Sequence, residues 1–200
     1  MSVLVGLPAP DFTAPAVLAS GEIVEDFNLK AHLAGRYGLI FFYPLDFTFV
    51  CPSEILAFHN RVPAFKERLI EVIGISVDSH FTHNAWRNTP PEKGGLGPIA
   101  FPLVADLTKQ IATDYGVLTP GGVALRGSFL IDRDGVVRHQ LVNDLPLGRD
   151  VDEAIRIVDA LQFHEENGEV CPAGWQKGSA GMQADPAGVA RYLAEHAKAL

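Results

Sequence analysis

A run of apolar residues, Tyr37–Tyr43 (YGLIFFY), stops abruptly at Pro44. It is too short to cross a membrane and ends at a residue that cannot extend a helix, so it predicts a strand buried on both faces. A second run, Ile70–Val77 (IEVIGISV), has the same character. Between them, Cys51–Val62 reads as a helix whose apolar stripe runs on through Phe65 and Leu69, with Pro63 placed to kink it or split it.

The remaining segments continue the alternation. Pro8–Asn28 reads as a loop and hairpin turning at Ser20-Gly21, and His80–Asn88 as a short helix ended by Pro90-Pro91. A short strand is expected near Leu103, then a helix over Thr108–Tyr115. Val123–Ile131 and Val136–Val142 form a hairpin about Asp132–Gly135, and Val151–Phe163 is an amphipathic helix. Strand–helix–strand units closed by a hairpin predict an α/β fold, a mixed central sheet flanked by helices. After Glu165 the composition shifts to Gly, Ala and Pro, so residues 166–200 are expected to be a C-terminal arm on a 1–165 domain, with a last helix near Val189–Lys198.

The charge balance, 24 acidic against 16 basic residues, argues against a nucleic-acid surface. The N-terminal residues show no basic segment before Pro8 and Pro10, and no run is long enough for a membrane helix, so a cytoplasmic protein is expected. Two cysteines in 200 residues make no secreted disulfide framework, and no Cys-x-x-Cys pair exists. An arbitrary cysteine is more often a buried small hydrophobe than a reactive group, so local context has to decide.

That context is the stretch Phe42–Ile55, FYPLDFTFVCPSEI, where a buried strand hands over to a helix. With Cys51 as N-cap, Pro52 takes the favoured first helical position and Glu54 the place of a capping-box acid. With Thr48 as cap, Cys51 falls in the first turn. Either way its sulfur lies near unpaired backbone amides and the positive end of the helix dipole, where thiolates are stabilised. The same amides can stabilise negative charge developing on a bound oxygen, Thr48 can offer its hydroxyl, and Pro44 can wall the pocket against water.

Pro44-x-x-x-Thr48-x-x-Cys51 resembles the active-site signature of the peroxiredoxins, and the longer string resembles their typical 2-Cys branch. The resemblance extends through SVDSHFTHNAW, GGLGP, ALRGSFLID, GRDVDE and EVCPAGW, and so covers most of the chain. It implies a thioredoxin-like fold and a peroxidase that needs no metal, flavin or nucleotide. Cys51 would be oxidised to a sulfenic acid by hydrogen peroxide or an alkyl hydroperoxide. Cys171 of a partner subunit would then close the disulfide, and thioredoxin or a flavoprotein disulfide reductase would recycle it. The resemblance also implies a homodimer, with assembly into a ring of five dimers.

Arg126 matches the family's active-site arginine; a guanidinium beside a thiolate stabilises the anion and can hydrogen-bond a peroxide. Glu54 and Arg149 match a charged network that would orient it. Trp86 and Trp175 fit family positions near the active-site and C-terminal packing, although core filling accounts for each equally well. One departure stands out. Members prone to over-oxidation carry GGLG with a C-terminal Tyr-Phe pair, whereas here the counterpart is Tyr192-Leu193. Slower loss to sulfinic acid is the expectation that follows.

His80 and His83 form H-x-x-H, but with no nearby cysteine and no third ligand they read as helix-surface histidines rather than a zinc site. The Gly94–Gly97 loop lacks the setting of a nucleotide fingerprint. A thioredoxin-like disulfide reductase lacks its close cysteine pair here; an oligomeric redox-regulated holdase or signalling partner is the alternative that sequence leaves open.

Overall fold

The computed structural model describes residues 3–198. They form two compact units, one ending at Val151 and the other beginning at Asp152. The first unit carries the strands β1 (Thr13–Val17), β2 (Ile23–Asn28), β3 (Tyr37–Phe42), β4 (Ile70–Ser76), β5 (Leu103–Ala105), β6 (Arg126–Ile131) and β7 (Val137–Asn143). Its helices are α1 (Leu29–Leu33), α2 (Cys51–Asn60), α3 (Val62–Glu67), α4 (His80–Arg87) and α5 (Gln110–Asp114).

These strands make one mixed sheet in the order β2-β1-β5-β4-β3-β6-β7. β3, β4 and β5 run parallel, and β6 lies antiparallel to both β3 and β7. Every residue of β3 is buried, as the unbroken apolar run requires. Ile40 and Phe42 join a cluster with Leu29, Leu33, Ile111 and Tyr115, so α1 and α5 cover that face. Phe41, next along the strand, stacks on Phe58 of α2 at 4.2 Å between ring centroids, so α2 covers the other. Gly74 pairs with Phe41 in the parallel ladder, and a Cβ there would press on the Phe41 ring at 3.0 Å and on Leu103 at 2.8 Å. A glycine fits where the ring crosses the neighbouring strand.

Pro63 splits the expected helix: α2 ends at Asn60, and Pro63 sits in the first turn of α3, where its missing N–H costs nothing. β6 begins at Arg126 rather than Val123, because the preceding residues pair elsewhere. Leu118 bridges Ala124, and Leu125 N–H donates to Val117 at 2.8 Å.

In the second unit, α6 (Val151–Asn167) runs beyond the expected Phe163. Nothing in His164–Asn167 breaks a helix, and Gly168, at φ +70°, ends it with its N–H on the His164 carbonyl. α7 (Pro186–His196) starts earlier than Val189 because Asp185 caps it, accepting from Gly188 N–H at 2.6 Å, with Pro186 in the first helical position.

Candidate active site

The sheet brings the candidate residues of the first unit to one place. β3 delivers the chain to Tyr43 and Pro44, both buried, and the loop then turns through Phe47, whose φ of +51° is costly for an L-residue. That turn points the Thr48 hydroxyl at Cys51. Thr48 Oγ1 lies 3.0 Å from Cys51 Sγ and 2.8 Å from the Leu45 carbonyl oxygen, and its single hydrogen serves one of them at a time.

Cys51 is the first residue of α2 and 1% exposed. Neither Cys51 nor Thr48 caps the helix. Val50 occupies that position, contributing only its carbonyl, which accepts from the amides of Ser53 at 3.1 Å and Glu54 at 3.3 Å. Pro52 follows in the first turn. The sulfur therefore sits in the first turn of the helix, where amide groups lack intrahelical acceptors.

Glu54 makes no capping box, because two arginines claim its carboxylate. Arg126 Nη1 donates to Oε2 at 2.6 Å; Arg149 donates from Nε to Oε1 at 2.8 Å and from Nη2 to Oε2 at 3.1 Å. The Arg149 backbone N–H adds a bond to Oε1 at 2.9 Å. The three side chains are 2–4% exposed, so this is a buried ion triad with its charges in hydrogen-bond contact. Arg149 is fixed further by the Gly127 carbonyl at 2.7 Å and the Phe41 ring face at 5.3 Å. Arg126 Nε donates to the Leu145 carbonyl at 2.7 Å, which leaves Nη1 at 3.5 Å from Cys51 Sγ.

The charges follow this geometry. Burial raises the Glu54 carboxyl, but the Arg149 hydrogen bonds and charge, with the charge of Arg126, outweigh it and hold the group below the ordinary carboxylate range. Burial lowers Arg126, yet the bond to Cys51 and the charge of Glu54 carry it above its ordinary value. Burial wins at Arg149, which is lowered.

Residues 5–140 match the AhpC/TSA family. The chain belongs to that family. Residues 160–195 match the C-terminal domain of 1-Cys peroxiredoxin. Alkyl hydroperoxide reductase C of Helicobacter pylori is 56% identical over 97% of this chain and 98% of its own. Peroxiredoxin-2 of Macaca fascicularis is 52% identical over 96% of each chain. The reduced 2-Cys peroxiredoxin of Plasmodium vivax superposes with a TM-score of 0.93 at 51% identity, covering 96% of this chain and all of its own. The fold is thus the thioredoxin-like fold of the peroxiredoxins.

In this peroxiredoxin a second buried network lies beside the first, and sequence reasoning missed it. His83 is fully buried, not on the helix surface. Its Nδ1 lies 2.7 Å from Asp46 Oδ2 and its Nε2 3.1 Å from the Val104 carbonyl oxygen. Tyr43 donates its hydroxyl to Asp46 Oδ1 at 2.8 Å, and Asp46 N–H donates to Asp78 Oδ2 at 2.7 Å. Asp46 lies within the Pro44–Thr48 loop, so these bonds pin the backbone that presents Thr48. α4 turns His83, Trp86 and Arg87 inward and leaves Phe81 68% exposed, the reverse of what residue polarity suggests. The recurrence of His83, Trp86 and Arg87 at helical spacing was the available signal.

Trp86 is fully buried, donates from Nε1 to the Gly94 carbonyl at 2.9 Å, and lies 5.7 Å from the Phe47 ring. The GGLG segment is thereby tied to α4, and a Cβ at Gly95 would collide with the Thr89 carbonyl. Cys171 belongs to the second unit, where it is partly buried; both cysteines are free thiols. Among the described residues no group of three or more His, Cys, Asp or Glu side chains could hold a metal ion.

Proposed function

We propose that the protein is a thiol-dependent peroxidase in which Cys51 attacks hydrogen peroxide or an alkyl hydroperoxide. The observation that carries this reading is a nearly unexposed Cys51 sulfur held 3.0 Å from a hydroxyl donor and 3.5 Å from a guanidinium. The Cys51 thiolate displaces the distal half of the O–O bond. A sulfenic acid forms, the other oxygen leaves as water or an alcohol after taking up a proton, and sulfur is oxidised while the peroxide is reduced. Thr48 and Arg126 both donate to the sulfur, so they stabilise the thiolate and are placed to align a peroxide that approaches it. Buried Pro44 is assigned the wall that keeps water from that peroxide. Glu54 and Arg149 act through Arg126 by fixing its position.

Cys171 of a second subunit then condenses with the sulfenic acid, forming an intersubunit disulfide and releasing water. The exchange partner that restores both thiols is thioredoxin or a flavoprotein disulfide reductase. The working assembly is a homodimer, five of which close into a ring. Residues 1–165 serve as the peroxidase domain and 166–200 as the arm bearing Cys171, in a cytoplasmic protein. Tyr192-Leu193 in place of a Tyr-Phe pair favours resistance to sulfinic acid formation.

Peroxide consumption by Cys51→Ser and Cys171→Ser variants tests this. Cys51→Ser loses all turnover, while Cys171→Ser reduces one equivalent of peroxide and then fails to be recycled by thioredoxin. Undiminished turnover in Cys51→Ser contradicts the reading.

A further inference from the structure

Within the second unit, the turn carrying Cys171 is fastened to one face of α6 at both ends. At the first end, the Cys171 S–H donates to the Ala160 carbonyl at 3.3 Å. At the other, Arg156 Nη1 donates to the Trp175 carbonyl at 2.7 Å. Arg156, Ala160 and Phe163 share that face by helical spacing, and the Trp175 ring lies 4.8 Å from the Phe163 ring. The turn itself is closed, with Trp175 N–H on the Pro172 carbonyl at 3.1 Å and Gly174 at φ +68°. Glu153 holds the arginine in register: its two oxygens accept from Arg156 Nε at 2.6 Å and Nη2 at 2.8 Å. That fork leaves Nη1 aimed at Trp175.

We propose that Arg156, set by Glu153, is a latch that holds the resolving cysteine in its resting place and so sets how long the Cys51 sulfenic acid waits. The inference rests on Cys171 being the resolving residue. A sulfur that donates its hydrogen to a carbonyl is a thiol, whereas the nucleophile is the thiolate. Partial burial raises the Cys171 thiol further, with the Arg156 charge pulling the other way. Resolution joins Cys51 Sγ to Cys171 Sγ; the S–O bond of the sulfenic acid and the S–H bond break, and water leaves. A disulfide requires the two sulfurs about 2.05 Å apart. Cys171 must therefore surrender its bond to Ala160 first, and the rate follows the fraction of turns that are released. Whatever tightens the docked turn slows resolution.

The test uses full-length wild type, R156Q, R156K, E153Q and C171S. Each is mixed with one equivalent of hydrogen peroxide, quenched with an alkylating agent over time and run on non-reducing gels, with peroxide consumption followed in parallel. R156Q is expected to form the covalent dimer on the order of tenfold faster, the shift that loss of one charge-assisted hydrogen bond produces. Its first-step peroxide reduction is unchanged, and less Cys51 sulfinic acid accumulates at high peroxide. R156K falls between the two, since an ammonium keeps the charge without the fork. If R156Q does not fold, E153Q carries the same expectation in weaker form. Dimer formation in R156Q, or in E153Q in its place, that is no faster than wild type, while C171S forms no dimer, overturns the latch alone. A covalent dimer persisting in C171S overturns the resolving assignment beneath it.

Discussion

Arg126 donates to Glu54 across 2.6 Å, and neither side chain is more than 4% exposed. The pair ties β6 to the first turn of α2, the two elements that meet at the Cys51 sulfur. Arg149 completes the triad, so one carboxylate balances two buried guanidinium groups.

Removing that carboxylate leaves two buried cations without their partner. Glu54→Gln is expected to destabilise the protein by about 3–5 kcal/mol, the usual cost of breaking a buried ion pair from one side. Urea unfolding of the two proteins at neutral pH measures it; a loss below about 1 kcal/mol contradicts a structural role for the triad.

The pH dependence of that difference has a definite sign. The Glu54 carboxyl lies below its ordinary value of 4.5 in the folded state. Its contribution is therefore complete above that value and is lost as pH falls through the folded-state value. Asp78 and Asp106 are both raised, by burial first, so their titration opposes that of Glu54 in the same range. Subtracting Glu54→Gln from wild type at each pH cancels them. The gap is expected to be constant from neutral pH down to about pH 5 and to shrink in more acidic solution.

Thr48→Val keeps the side-chain shape and removes the hydroxyl that faces Cys51 at 3.0 Å. Loss of one hydrogen bond to an ionised group predicts a fall of about tenfold to a hundredfold in the rate of peroxide reduction. Stopped-flow measurement of the first turnover isolates that step from recycling.

His83→Ala removes the partner of Asp46 Oδ2 and of the Val104 carbonyl oxygen in the core, while Tyr43 still donates to Asp46 Oδ1. A stability loss of about 1–3 kcal/mol is expected from the atoms left unpaired. His83→Asn, whose side-chain amide reaches the Nδ1 position, recovers part of it. Thermal unfolding of the three proteins reads the order wild type, His83→Asn, His83→Ala.

Sequence carried the parts of the fold set by continuous or periodic burial. The first six residues of YGLIFFY become β3, buried throughout, and Pro63 divides α2 from α3. Cys51, Thr48, Arg126, Glu54 and Arg149 were all named from motifs, and the structure gathers them within hydrogen-bonding reach. Two things were hidden. Capping depends on backbone conformation, so Val50 replaced the polar residues as cap. His83 was hidden because its burial depends on Asp46, Val104 and Tyr43, partners remote in sequence that together satisfy its ring. Polarity marks a residue as exposed only while no such partner exists.

The mass of the Cys51 peptide from Cys171→Ser after one equivalent of hydroperoxide, with dimedone present to trap sulfenic acid, tests the role of Cys51 most directly. The expected result is a dimedone adduct on Cys51 in stoichiometric yield and none elsewhere. An unmodified Cys51 with the peroxide still present contradicts it.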